Sequence, residues 1–167
     1  GTYDATAYGA CSYQPRSFYN EEENLKKIFY YNEFRKGETY AYSEDCLFLN
    51  VFAPDTAKEG DKLPVLFYIH GGGFIKGDKK HRVTVSEYYA NEDCFVFSIN
   101  YRLPPEVDIF GQIDDCVSAL NFIKTLAESY NIDLENIFIT GDSSGSCQTT
   151  FLAAIKYDDE LRKKLGC

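Results

Sequence analysis

The run Thr140-Gly141-Asp142-Ser143-Ser144-Gly145-Ser146 contains Gly-x-Ser-x-Gly with Ser143 at its centre. This is the pattern of a strained strand-to-helix turn that lifts a serine hydroxyl above a sheet as a nucleophile. Such a turn holds its serine in a costly backbone conformation, so the neighbouring side chains must be minimal. The hydroxyl then sits near the positive end of the following helix. Five residues alone would favour a plain Gly/Ser turn. Here the turn follows the apolar run Ile137-Phe138-Ile139 and precedes a helical segment from Ser144 to Ala154, the context a nucleophile needs. A second run, His70-Gly71-Gly72-Gly73-Phe74, also closes an apolar segment. Its glycines let backbone N–H groups approach a carbonyl oxygen and stabilise the oxyanion of acyl transfer, together with the N–H of Ser144. The bland reading is a flexible turn. A Walker-type phosphate loop is excluded, because no Gly-Lys-Ser/Thr follows.

The elements that must position these groups are legible from hydrophobic patterning. Leu47 to Ala53, Val65 to Ile69, Phe95 to Ile99 and Ile137 to Ile139 read as strands. The last three are nearly continuous apolar runs, which means burial on both faces, as in a parallel sheet. Ile113, Cys116, Val117, Leu120, Ile123 and Ala127 fall at helical spacing, with Ala119, Phe122 and Leu126 widening the buried face. Thr84 to Asn91 reads as a shorter helix. Asp114 and Asp115 are expected to open the long helix and cap it. Residues 1–45 are polar and tyrosine-rich, with a helix expected after Glu21-Glu22-Glu23. The alternation of strands and helices predicts one α/β domain.

The chain has 167 residues and a formal net charge of −9, which argues against a nucleic-acid partner. No apolar run approaches a membrane span. The basic run Lys79-Lys80-His81-Arg82 reads as a solvated loop. Six cysteines without a Cys-x-x-Cys pair make a metal site unexpected, and no cofactor is implied. There is no Met, so residue 1 is expected to lie inside a longer reading frame or to follow processing. The only histidines are His70 and His81.

Taken together, these pieces resemble the α/β-hydrolase carboxylesterases. Ser43-Glu44-Asp45-Cys46-Leu47-Phe48-Leu49-Asn50-Val51 is similar to the Glu-Asp-Cys-Leu-x-Leu-Asn-Val signature of type-B, cholinesterase-like members. Ala10-Cys11-Ser12-Tyr13-Gln14 and Asn100-Tyr101-Arg102-Leu103 resemble two further segments of that family. Tyr101 to Glu106, Asp114-Asp115 and Gly141-Asp142-Ser143 look more like the hormone-sensitive-lipase branch, since type-B members usually carry Glu before the nucleophile. The resemblance implies an α/β-hydrolase fold with a mostly parallel sheet, incomplete at its C-terminal side. It makes Ser143 the nucleophile, Gly72, Gly73 and Ser144 the oxyanion hole, Gly71 a structural glycine and His70 a brace for the loop. It also implies a disulfide between Cys11 and Cys46. That bridge would place maturation in an oxidising, extracytoplasmic compartment, whereas two reduced thiols would fit the cytoplasm. Cys94, Cys116 and Cys147 are expected in the core.

In such hydrolases the triad runs serine, acid, histidine in chain order. No histidine follows Ser143. Residues 1–167 are therefore expected to be the N-terminal part of a single domain. The open sheet edge beside Ile137 to Ile139 would be covered by a complementary C-terminal chain or by self-association. The expected activity is hydrolysis of a small-molecule carboxylic ester through an acyl-enzyme. A non-catalytic binding or adhesion module, or an acyltransferase or thioesterase, on the same fold is the alternative.

Overall fold

The computed structural model describes residues 43, 45–58, 60–80 and 82–165. The expected helix after Glu23, Cys11 and His81 lie outside the described residues. Among the described residues, four strands and four helices follow in the order β1 (Leu49–Phe52), β2 (Leu63–Ile69), α1 (Val83–Ala90), β3 (Phe95–Ile99), α2 (Ile109–Tyr130), β4 (Ile132–Gly141), α3 (Ser144–Tyr157) and α4 (Asp159–Leu165).

The strands form one sheet in the order β1-β3-β2-β4. β2 runs parallel to both β3 and β4, and β1 joins β3 antiparallel. The continuous apolar runs of β2 and β3 have the predicted meaning, but Ile137-Phe138-Ile139 does not: β4 is the edge strand, so Phe138 is exposed and Ile137 and Ile139 are only partly buried. Val65, Phe67 and Ile69 of β2 join a core with Ile113 and Ile123 of α2 and Leu152 and Ile155 of α3. Leu66 and Tyr68 pack on the other face with Ala90 of α1 and Val96 of β3. Each face of β2 is thus buried by a different helix layer, as a central parallel strand requires.

The chain order reverses at β2. From β2 the chain moves to β3 on one side, then passes back to β4 on the other. Clefts at the C-terminal ends of strands on either side of such a reversal are where open α/β sheets hold ligands. The glycine run and the serine turn leave the sheet at that place.

Further expectations need correction. The strand expected at Ile137 to Ile139 begins at Ile132, because Ile132 and Asp133 already pair with Leu63 and Pro64 before the register shifts to Ile137 opposite Val65. The intervening excursion is held by Asp133, whose carboxylate accepts from Glu135 N at 3.1 Å and Asn136 Nδ2 at 2.7 Å. Helix α2 starts a turn early. Its cap is Asp108, which accepts from Phe110 N and Gly111 N at 3.0 Å each. Asp114 and Asp115 sit within the helix instead, and Phe122, expected in its buried face, is exposed. Finally, Lys79 at the head of the basic run is not solvated, while Lys80 and Arg82 are partly buried. Lys79 is fully buried, its N–H donates to Asn100 Oδ1 at 2.6 Å, and its carbonyl accepts from Ser98 Oγ at 2.9 Å. Its ammonium lies 5.7 Å from the centre of the Phe48 ring. Asp78, also buried, accepts from Asn100 Nδ2 at 3.0 Å. Polar groups at the end of β3 draw this segment inward, and the charges follow the backbone.

Candidate active site

β2 and β4 end in register, with Ile69 opposite Gly141. The residues that follow them are therefore neighbours. Ser143 is exposed and has φ 51° and ψ −117°, a conformation that costs a non-glycine residue roughly 1–3 kcal/mol. The turn is pinned by Gly145 N donating to Asp142 O at 2.8 Å and Cys147 N to Ser143 O at 3.2 Å. Gly145 is obligatory for a steric reason: a Cβ there would overlap the Ile69 carbonyl. The nucleophile pattern is thus coded by how closely α3 starts against the end of β2.

The glycine run takes up the facing position. Gly72 has φ +138° and Phe74, a non-glycine residue, φ 66°. Gly72 is half-buried, Gly73 exposed and Ser144 buried at the first position of α3. The structure brings the predicted loop and the predicted elbow to adjacent strand ends.

Asp142 ties the two together, a role the sequence did not reveal. Its Oδ1 accepts from Gly71 N at 2.9 Å and from the Tyr68 hydroxyl at 2.8 Å. Burial, and then the adjacent carboxylate, hold the Tyr68 phenol far above its ordinary range, so it stays a donor. Arg82 Nη2 lies 3.8 Å from Asp142 Oδ2. Gly71's own N–H is used up in this contact, which leaves it no free donor for a substrate oxygen. A Cβ on Gly71 would come within 2.6 Å of Asp142 Oδ2.

His70 is buried, with Nδ1 2.8 Å from Gly71 O, and its ring stacks on Tyr101 at 4.3 Å. Tyr101 in turn donates its hydroxyl to the His70 carbonyl at 2.9 Å. Burial lowers the imidazole pKa. Below about pH 6.5 the unfolded chain then binds a proton that the folded one resists. Stability is accordingly full above that pH and declines as pH falls towards the depressed folded value, by at most about 1.4 kcal/mol per pH unit. His70→Gln should flatten this slope. Urea midpoints at about pH 7.5 and about pH 5.5 check it, and equal slopes for both proteins would refute it.

A model of the Carboxylesterase family matches residues 1–165. The chain belongs to the Carboxylesterase family. It is 32% identical over 165 residues to para-nitrobenzyl esterase of Bacillus subtilis, covering 91% of this chain and 30% of that protein. It is 46% identical over 113 residues to the pyrethroid hydrolase Ces2a of Mus musculus, covering 62% of this chain and 20% of that protein. Among solved structures, a thermophilic pNB esterase superposes with a TM-score of 0.69 at 28% identity, over 89% of this chain and 30% of that one. The chain therefore spans about 30% or less of these proteins. The fold is that of the α/β-hydrolases, with the part of the sheet that carries elbow and glycine loop.

Within this carboxylesterase framework, Arg102 and Asp115 form a pair whose geometry the sequence did not disclose. Asp115 accepts from Arg102 N at 2.8 Å and from Nη2 at 2.7 Å, and its side chain is almost fully buried. The bridge clamps the segment leaving β3 onto α2. Asp115→Ala should cost about 2–3 kcal/mol, below the 3–5 of a fully buried pair because the arginine keeps access to water. Denaturant midpoints measure this; an unchanged midpoint would show that the clamp carries no stability. Of the three cysteines expected in the core, Cys116 is buried, Cys94 half-buried and Cys147 exposed.

Proposed function

We propose that residues 1–167 are the N-terminal part of a single-domain serine carboxylesterase. Ser143 attacks the carbonyl carbon of a small-molecule carboxylic ester. The N–H groups of Gly72, Gly73 and Ser144 receive the developing oxyanion. The intermediate collapses to an acyl-enzyme with loss of the alcohol, and water releases the acid. The histidine that takes the serine proton, and its acid partner, lie outside residues 1–167. The observation that carries this reading is the strained backbone of an exposed Ser143 at the strand end beside the glycine loop. A binding module gains nothing from that strain, whereas a nucleophile needs it. The outer edge of β4 bears the exposed Phe138 and Leu134, and a complementary C-terminal segment or a second copy covers it. The test is an organophosphonate probe on the full-length protein, read by peptide mass spectrometry. An adduct on Ser143 with concurrent loss of p-nitrophenyl ester turnover supports the proposal. Turnover that persists without a Ser143 adduct refutes it.

The same reading includes a Cys11–Cys46 disulfide. Cys46 is buried just before β1, where a bridge would staple the N-terminal segment to the sheet. Removing a native disulfide costs about 2–5 kcal/mol in small secreted domains. Thiol counting on unreduced, denatured protein should find four reactive cysteines of the six. Six would refute the bridge.

A further inference from the structure

Behind the glycine loop lies a buried line of side chains that the mechanism does not use. Gln112 on α2, Gln148 on α3 and Cys116 on α2 are all fully inaccessible to solvent. Gln112 Nε2 donates to the Phe74 carbonyl at 2.8 Å. Gln148 Nε2 donates to Gln112 Oε1 at 3.3 Å, and Cys116 Sγ donates to Gln148 Oε1 at 3.2 Å.

The direction of this relay is dictated by its ends. A carbonyl oxygen only accepts, so Gln112 must turn its amino group to Phe74 and its oxygen to Gln148. Gln148 must then offer its own amino group and present its oxygen to Cys116, which has to be a thiol. Burial raises the Cys116 pKa, so the proton stays on sulfur. Every amide thus has one defined orientation, and none can flip without stranding a buried polar group.

The relay joins the two halves of the site. Phe74 is the left-handed residue that closes the glycine run, and Gln148 sits one turn into the helix that begins at Ser144. We propose that Gln112 and Gln148 are positioning residues that fix the spacing between the loop N–H groups and the Ser144 N–H. This rests on the esterase reading above. Neither residue touches substrate; both act through the backbone they hold.

The experiment compares Gln112→Leu, similar in volume but unable to donate, with wild type in the full-length protein. Rates are normalised to active sites titrated by phosphonate. The expected result is a kcat loss of about 10-fold to 100-fold, less than the 10²–10³ for deleting an oxyanion donor. KM should move by less than about twofold, because the oxyanion forms only in the transition state. Cys116→Ser, which keeps a donor, should stay closer to wild type than Cys116→Ala. Hydrogen exchange of the peptide 70–77 should be faster in Gln112→Leu, and in Gln148→Leu should the first variant not fold. Unchanged kcat per titrated site, or unchanged exchange, overturns the proposal. A wild-type protein that neither turns over ester nor labels at Ser143 overturns the esterase reading, and the exchange measurement still decides the relay.

Discussion

Replacing Ser143 with alanine is expected to lower kcat for ester hydrolysis by roughly 10⁶-fold, the scale seen when a serine hydrolase loses its nucleophile. The loss should be chemical rather than structural. Alanine keeps the Cβ, so the turn at φ 51° is no more strained than before. Ser143 is exposed, so deleting its oxygen opens no cavity, and stability should hold within about 0.5 kcal/mol. The same hydroxyl needs a base, since an unassisted serine is a weak nucleophile. The 167-residue chain tested alone should therefore show almost no turnover and slow labelling at Ser143, while a chain that supplies the triad's acid and histidine labels quickly. His70 is a poor substitute: its ring is stacked on Tyr101 and its Nδ1 is turned to the Gly71 carbonyl. Rapid, stoichiometric labelling of the short chain would mean that a base lies within it and would refute the division of the triad.

What could be read from the sequence divides along a physical line. Gly141 and Gly145 were legible because steric exclusion leaves no other residue there, so the elbow is written in residue type. The two-sided burial of β2 was legible because a strand covered on both faces needs an unbroken apolar run. The polar interior was not. Asp78, Lys79, Gln112 and Gln148 are all fully buried, yet each is a residue type usually found at the surface. Their burial depends on partners 21 to 38 positions away, such as Asn100 for Lys79 and Phe74 for Gln112. No local pattern carries that information. The start of α2 was misplaced for a related reason. Asp114 and Asp115 offered a nearer pair of acids than Asp108, and only the Arg102 contact shows that Asp115 serves packing rather than capping. Asp142 was read as a subfamily marker. Its bond to Gly71 N makes it the link between elbow and loop.

Gly72→Ala should cost about 10²–10³ in kcat, as much as losing an oxyanion donor. The structure shows that even a methyl group does not fit, because a Cβ on Gly72 would overlap the Lys76 carbonyl oxygen, and φ +138° is closed to L-residues. The obstacle is backbone, so the loop has to move, and its N–H groups move with it. Gly73 provides the control. Its φ is +65°, a left-handed value that costs alanine about 1–2 kcal/mol, and a Cβ there meets nothing within 4 Å. Gly73→Ala should therefore keep the loop in place and lose less than about tenfold in kcat. Adjacent glycines differing by one methyl group would then separate by an order of magnitude or more, with KM nearly unchanged in both, because the displaced donors act on the oxyanion and not on the bound ester. Steady-state kinetics with a p-nitrophenyl ester, normalised to phosphonate-titrated sites, provide the comparison. Normal turnover by Gly72→Ala would show that this loop does not hold the oxyanion.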